Sequence, residues 1–324
     1  MATLILDRRD MEIRLDGQAL ALYEPEGRRG SVPLKLLDRV ILQGDIRLDT
    51  GVLTKMAESG VAMLLLSKRQ SRRVAVVLGP QHNDAAVRLA QSRRVFDAEW
   101  QRVWARRLVL AKLTGQRGLL ARTMLLRADV RKPLFDAVAD LDAILNKIRA
   151  VDGLSPDSLR GLEGAAARAY FGGFTALFAD SLGFTGRNRR PPKDPVNACL
   201  SLGYTLLHFD AVRAAHVAGL DPLLGFFHRP AFGRESLASD LIEPLRPRLD
   251  AWVWGLFRER TLRPDHFSLD KGACLLGKAG REAFYVHYES AAKHWRTALR
   301  RQCQILAAHL RHEGTPFMDT EFEE

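Results

Sequence analysis

Near residue 80 the spacing of apolar residues changes, and that change restricts the chain to a two-part design. Before it, apolar runs of strand length alternate with turn residues: residues 3–6, MEIRL (11–15), QALALYE (18–24), RVILQG (39–44), VAMLLLS (61–67) and RRVAVVLG (72–79). Asp16-Gly17 reads as a hairpin turn. GVLTKMAES (51–59), capped by Asp49 or Thr50, reads as one short helix that stops at Gly60. Gly79-Pro80 then breaks the pattern and leads into a linker at 81–84. From residue 85 the period is helical, over 85–114, 117–127 and 132–150, and no strand alternation of comparable strength returns. The expected fold class is α+β: a small N-terminal β-sheet domain over 1–80, then a larger all-α domain over 85–312.

Charge narrows the partners. The whole chain carries +11, yet its last twelve residues hold five acids and no base, so residues 1 to 312 alone carry +16. A surplus of that size points to a polyanion, and the acidic stretch 313–324 reads as a disordered tail. No run of about 18 apolar residues occurs, so no membrane span is expected. The N-terminus lacks the basic and apolar segments of a signal peptide, so a cytoplasmic protein is expected. Cys199, Cys274 and Cys303 are too few and too dispersed for a disulfide framework or a zinc ribbon.

Candidate chemistry lies in the helical part. Ser155-Pro156 starts a helix, with Ser155 as N-cap. Within it Glu163 falls four after Leu159, three before Ala166 and seven before Tyr170, on the apolar stripe. A carboxylate there requires a cation, supplied either by an arginine such as Arg168 or by a metal. Arg187, Arg189, Arg190 and Lys193 form a basic loop stiffened by Pro191 and Pro192, a surface suited to phosphates. Asp194-Pro195 starts the next helix, which carries Asn197 and Tyr204 seven apart on one face. In Asp221 to Pro247, DPLLGFFHRPAFGRESLASDLIEPLRP, a loop holds His228, and Asp240 and Glu243 follow three apart at the start of a helix. Taken alone, the stretch reads as a loop histidine and two solvated acids. The same residues also suit a hard divalent ion such as Mg2+ or Mn2+.

Several long segments then resemble one family. SVPLKLLDRVILQG, GVLTKMAESGVAMLLLS, LEGAAARAYF, RNRRPPKDPVNACLSLGYTLL and GLDPLLGFFHRPAFGRESLASDLIEPLRP are similar to those of the universal CRISPR adaptation integrase, over about residues 3 to 310. The resemblance implies a metal-dependent DNA endonuclease that inserts spacers into CRISPR arrays by attack of a 3′-hydroxyl on a phosphodiester. It also implies homodimerisation through the N-terminal β domain. Glu163, His228 and Asp240 match its catalytic and metal-binding positions, with Mg2+ or Mn2+ as the ion. Glu243 matches a further acidic position, Asn197 and Tyr204 its polar positions, and Lys271 and Lys278 a late basic motif. Cys199 stands where leucine is usual. Double-stranded DNA, as spacer precursor and repeat, is the implied partner. So is a small ferredoxin-like protein that bridges two integrase dimers, with the helix at 287–311 or the acidic tail as candidate contact.

Two further expectations follow. Pro244 and Pro247 remove helix donors that would meet the carbonyls of residues 240 and 243, so the helix is expected to open beside the two acids. The competing functional classes are a non-catalytic basic DNA-binding scaffold, a metal hydrolase of small phosphorylated molecules, and a zinc enzyme. The last would use His287 with His294, or His309 with His312, but neither pair has an obvious third ligand.

Overall fold

A computed structural model describes residues 2–8, 10–67, 73–80, 82–188 and 191–318. The chain divides into two compact units, Met1–Asn83 and Asp84–Glu324.

The first unit is built on two four-stranded sheets. One has the order β1 (Ala2–Leu6), β5 (Leu37–Gln43), β7 (Ala62–Leu66), β8 (Arg73–Val77), parallel except for the last pair. The other has the order β4 (Gly27–Pro33), β3 (Ala19–Glu24), β2 (Met11–Asp16), β6 (Ile46–Leu48). Helix α1 (Thr50–Glu58) starts at Asp49, whose carboxylate accepts the Val52 N–H, as its sequence predicts. Both sheets turn apolar side chains onto one core: Leu6, Val40 and Met63 from the first, Ile13 and Leu20 from the second, with Val52 and Met56 from α1. β2 shows the simple alternation, Met11 and Ile13 inward, Glu12 and Arg14 outward and paired. β4 has no such pattern. Its sequence, GRRGSVP, is mostly exposed and forms an edge strand through main-chain bonds to β3. Apolar periodicity does not find it, because only Val32 packs against the core.

The second unit is mainly helical. Helix α2 (Ala85–Val95) and α3 (Ala98–Leu126) are separate, where the period reads as one helix over 85–114. Asp97 caps α3 by accepting the Trp100 N–H at 3.0 Å, and that cap ends the run. The expected break after residue 114 is not there. Gly115 lies inside α3 because Pro247 seats on it: a Cβ at this glycine would lie 3.0 Å from Pro247 Cγ. α3 packs against α4 (Arg131–Ala150), α5 (Pro156–Thr175) and α8 (Arg246–Arg258). Helix α6 (Pro195–Val217) packs against α7 (Ser236–Ile242), α8 and α9 (Lys278–Gly314). A small hairpin of β9 (Phe267–Asp270) and β10 (Ala273–Leu276) also occurs, a strand pair that the helical reading omits.

The acidic stretch begins inside the fold rather than beyond it. Glu313 belongs to the last turn of α9 and pairs with Arg94 at 2.6 Å. A 3-10 turn follows at Thr315–Phe317, and residues 319–324 of the expected tail lie outside the described residues. No helix among the described residues is long and apolar enough to cross a membrane.

Candidate metal centre

The loop that carries His228 is held from four sides. From α2, the buried Gln91 amide donates to the carbonyls of Asp221 and Leu224, both at 2.9 Å, and accepts the Asp221 N–H at 2.8 Å. From α3, Trp100 and Trp104, one turn apart, meet the Phe226 ring edge-on at 5.6 and 5.1 Å. From α5, Arg160 donates to the Phe227 carbonyl at 2.8 Å. From α7, the fully buried Asp240 carboxylate accepts the N–H groups of Phe226, Phe227 and His228 at 2.8 to 2.9 Å. Gly225 makes this approach possible, because a Cβ there would lie 2.5 Å from the Ser236 carbonyl carbon. Gly225→Ala must push the loop off the start of α7. We expect it to destabilise the protein by about 2 kcal/mol or more, within the range of overpacking effects, measurable as a lowered midpoint in chemical denaturation.

Asp240 also fixes the imidazole. Its Oδ1 lies 2.7 Å from His228 Nδ1. An ionised carboxylate only accepts, so Nδ1 is a protonated nitrogen, and in the neutral ring Nε2 keeps its lone pair. That nitrogen faces Glu243, with Nε2 3.9 Å from Oε1. Sequence spacing puts Asp240 and Glu243 on one helical face, yet they perform different tasks. Asp240 is turned into the loop, with both oxygens already engaged by four donors. Glu243 faces the point opposite Glu163.

That point is occupied by an ammonium group. Lys112 Nζ, from α3, is 2.5 Å from Glu163 Oε1 and 2.7 Å from Glu243 Oε2. The cation that Glu163 requires is therefore Lys112, not Arg168. Glu243 Oε2 meets the ammonium without a well-aligned hydrogen bond, while Oε1 accepts from Arg246 Nε at 2.8 Å. Burial alone would raise the Glu243 carboxyl, but Arg246 and Lys112 outweigh it and hold the group at about 2. Among the described residues no three His, Cys, Asp or Glu side chains are already closed to metal-ligand distance. The donor set still fits a hard divalent cation: carboxylate oxygens of Glu163 and Glu243 meet at a position that a positive charge already fills, and His228 Nε2 lies beside Glu243.

The helix does open at the prolines. α7 ends at Ile242, a 3-10 turn spans Glu243–Leu245, and α8 begins at Arg246. The carbonyls of Asp240 and Glu243 are not freed, however, since the N–H groups of Glu243 and Arg246 take them up. What the prolines change is the winding, which presents Glu243 and Arg246 together.

Behind this wall lies a third buried acid, one that the sequence reading missed. Asp250 accepts from Tyr170 at 2.9 Å and from Tyr204 through its other oxygen. The Arg246 guanidinium lies over the Tyr204 ring at 4.7 Å, which links Asp250 to Glu243. Burial pushes the Asp250 carboxyl up to about 6, with the two tyrosine hydrogen bonds acting against it. The folded state then binds a proton that the unfolded state, near the ordinary 3.8, does not. Between those two values stability falls as pH rises. We expect a contribution on the order of 1–3 kcal/mol, seen as a steeper dependence of Tm on pH in wild type than in Asp250→Asn between pH 4 and 7.

The basic positions divide. Arg187 is engaged by α6, donating to the Asn197 amide oxygen at 2.7 Å and to Ser201 Oγ at 3.1 Å. Asn197 is fully buried and fixes the loop through Gly186, Asn188 and Asp194. Lys193, Lys271 and Lys278 are exposed. Arg189 and Arg190 lie outside the described residues. His309 stacks on Trp100 and pairs with Glu313. His287 Nδ1 lies 2.8 Å from the Ala283 carbonyl.

Lys112 was the functional-looking residue that sequence reasoning passed over. It lies four after Leu108, three after Val109 and four before the buried Gln116, on the inner stripe of α3. Like Glu163, it is a charge on an apolar stripe and requires a counter-charge.

The fold is that of a CAS1 protein and of a casposase. It superposes on a CAS1 protein from Thermotoga maritima with a TM-score of 0.83, covering 100% of this chain and 99% of that one at 21% identity. A casposase bound to integration product gives 0.82, with 100% and 96% covered at 20% identity. In sequence, the family model described as CRISPR associated protein Cas1 matches residues 4–290, and the chain belongs to that family. It is 37% identical over 315 residues to CRISPR-associated endonuclease Cas1 1 of Thermodesulfovibrio yellowstonii, covering 97% of this chain and 98% of that protein. It is also 36% identical to CRISPR-associated endonuclease Cas1 2 of Rhodospirillum rubrum, with 92% of each chain covered.

Proposed function

We propose that this chain is a divalent-metal-dependent DNA endonuclease and integrase that inserts new spacers into a CRISPR array. The observation that carries the reading is that Glu163 and Glu243 meet at one cation position, with His228 Nε2 beside Glu243. Glu163, His228 and Glu243 are the ligands we assign, and Asp240 is the group that orients His228 rather than a ligand itself. Mg2+ or Mn2+ bound there would supply Lewis-acid stabilisation of a phosphodiester and of an alkoxide beside it. Arg246 holds Glu243 in line, and Tyr204 supports Arg246 from behind.

The reaction that suits this set is transesterification. A DNA 3′-hydroxyl forms one P–O bond as another breaks and a new 3′-hydroxyl leaves. Bond number is conserved, so no ATP is needed. Water in place of the hydroxyl gives cutting. The +11 net charge supports binding of double-stranded DNA, with affinity that falls at high salt. Exposed Lys193, Lys271 and Lys278, with Arg189 and Arg190, are the phosphate contacts we assign. Homodimerisation through the first unit and assembly with a small ferredoxin-like protein in the cytoplasm complete the reading. It is supported by a similar fold within a Cas6-RT-Cas1--Cas2 complex, with a TM-score of 0.81.

The test is a Mn2+-dependent cutting and strand-transfer assay on DNA carrying free 3′ ends, with wild type and His228→Ala. We expect joining by wild type, none by His228→Ala, and comparable salt-dependent DNA binding by both. A wild type that binds DNA but neither cuts nor joins it with Mg2+ or Mn2+ would leave the scaffold reading instead.

A further inference from the structure

Lys112 occupies the place that the proposed ion needs. Its ammonium is 2.5 Å from Glu163 and 2.7 Å from Glu243, and only 12% of its side chain is exposed. A divalent ion of this class binds carboxylate oxygens at about 2.0–2.2 Å. It cannot bind those two oxygens while the ammonium lies between them. Equally, the pocket cannot stand empty of positive charge at no cost, since the buried Glu243 and the part-buried Glu163 carboxylates would then face each other with Arg246 alone to offset them. Lysine suits a temporary occupant, being a compact charge on a flexible four-carbon stem that can swing aside.

We propose that Lys112 is the resident counter-ion of the metal pocket: it holds Glu163 and Glu243 in place before the ion arrives, and loading requires its displacement. The ion and the ammonium thus compete for the same two oxygens, and Lys112 sets both the metal affinity and the stability of the metal-free protein. This rests on the reading of Glu163, His228 and Glu243 as ligands.

Calorimetric titration of the full chain with Mn2+, and thermal melting with and without Mn2+, test it. Lys112→Met should bind Mn2+ about tenfold more tightly than wild type, the scale of coupling between competing occupants. It should melt lower than wild type in chelator and gain more from Mn2+. Lys112→Arg keeps the charge and the fold, cannot retreat as a point charge, and should bind Mn2+ more weakly than wild type. Equal Mn2+ affinity in wild type, Lys112→Met and Lys112→Arg, with binding lost in Glu163→Gln, would overturn the competition and leave the metal centre standing. Absence of Mn2+ binding in wild type and in every variant would remove the metal centre, and the inference with it.

Discussion

Replacing Glu243 by glutamine is expected to abolish metal-dependent cutting and joining of DNA, by about a thousandfold or more, the scale on which removing one member of a catalytic set acts. The change keeps the side chain's shape and removes its charge. Lys112 and Arg246 then lose the anion they share, in a place where Glu243 is 4% exposed. Breaking a buried pair on one side costs about 3–5 kcal/mol, so the variant should also unfold at lower denaturant. Glu163→Gln should lose activity to the same degree with a smaller loss of stability, because that carboxylate is 19% exposed. DNA binding should survive in both. Single-turnover strand transfer, denaturant melts and a salt series of DNA binding together check this. Retained Mn2+-dependent joining by Glu243→Gln would remove this residue from the ligand set.

Asp240 should give the other large effect, with a different signature. Asp240→Ala removes the acceptor of three consecutive backbone N–H groups and of an imidazole N–H, the first two buried and the His228 pair part-buried. Orphaned donors cost about 1–3 kcal/mol each, so the loop should come loose and the protein should lose several kcal/mol. Asp240→Asn is the sharper probe. Its single carboxamide oxygen cannot satisfy the loop and Nδ1 together, and its NH2 favours the tautomer with the proton on Nε2. That tautomer has no lone pair for a cation. The expected result is a folded protein with joining reduced by about a thousandfold or more, as in other wrong-tautomer variants, and with weakened Mn2+ affinity in calorimetry. Unchanged Mn2+ affinity in Asp240→Asn would mean that Asp240 acts only as scaffolding.

The contrast between these two acids shows what the sequence could convey. Their three-residue spacing correctly places them as neighbours on one stretch. It could not assign their tasks, because the assignment depends on what comes to meet them: three loop N–H groups for Asp240, a lysine from α3 for Glu243. Glu163 was legible because a charge on an apolar stripe is an anomaly visible in one helix. Lys112 is the same anomaly, masked by the many arginines of its helix. In the first unit the central strand β5 was legible as an apolar run, since both of its faces are covered. The edge strand β4 was not, because its stability comes from main-chain bonds that leave no periodic trace. The Asp97 cap divides α2 from α3 by a signal that was present, a short acid ahead of a helical run, and that continuous periodicity obscured.

The pairing of α9 with α2 has a consequence for how the protein can be cut. Arg94 and Glu313, with Arg311 and Asp84, tie the two ends of the second unit together. Arg94 also lies over the Trp100 ring, and Trp100 in turn braces Phe226, two residues before His228. A truncation ending at His312 would therefore not trim a loose appendage. It would unfasten a clasp whose far side steadies the histidine, whereas rejoining the two ends through a short tether, with new termini opened elsewhere, should leave that histidine where it is.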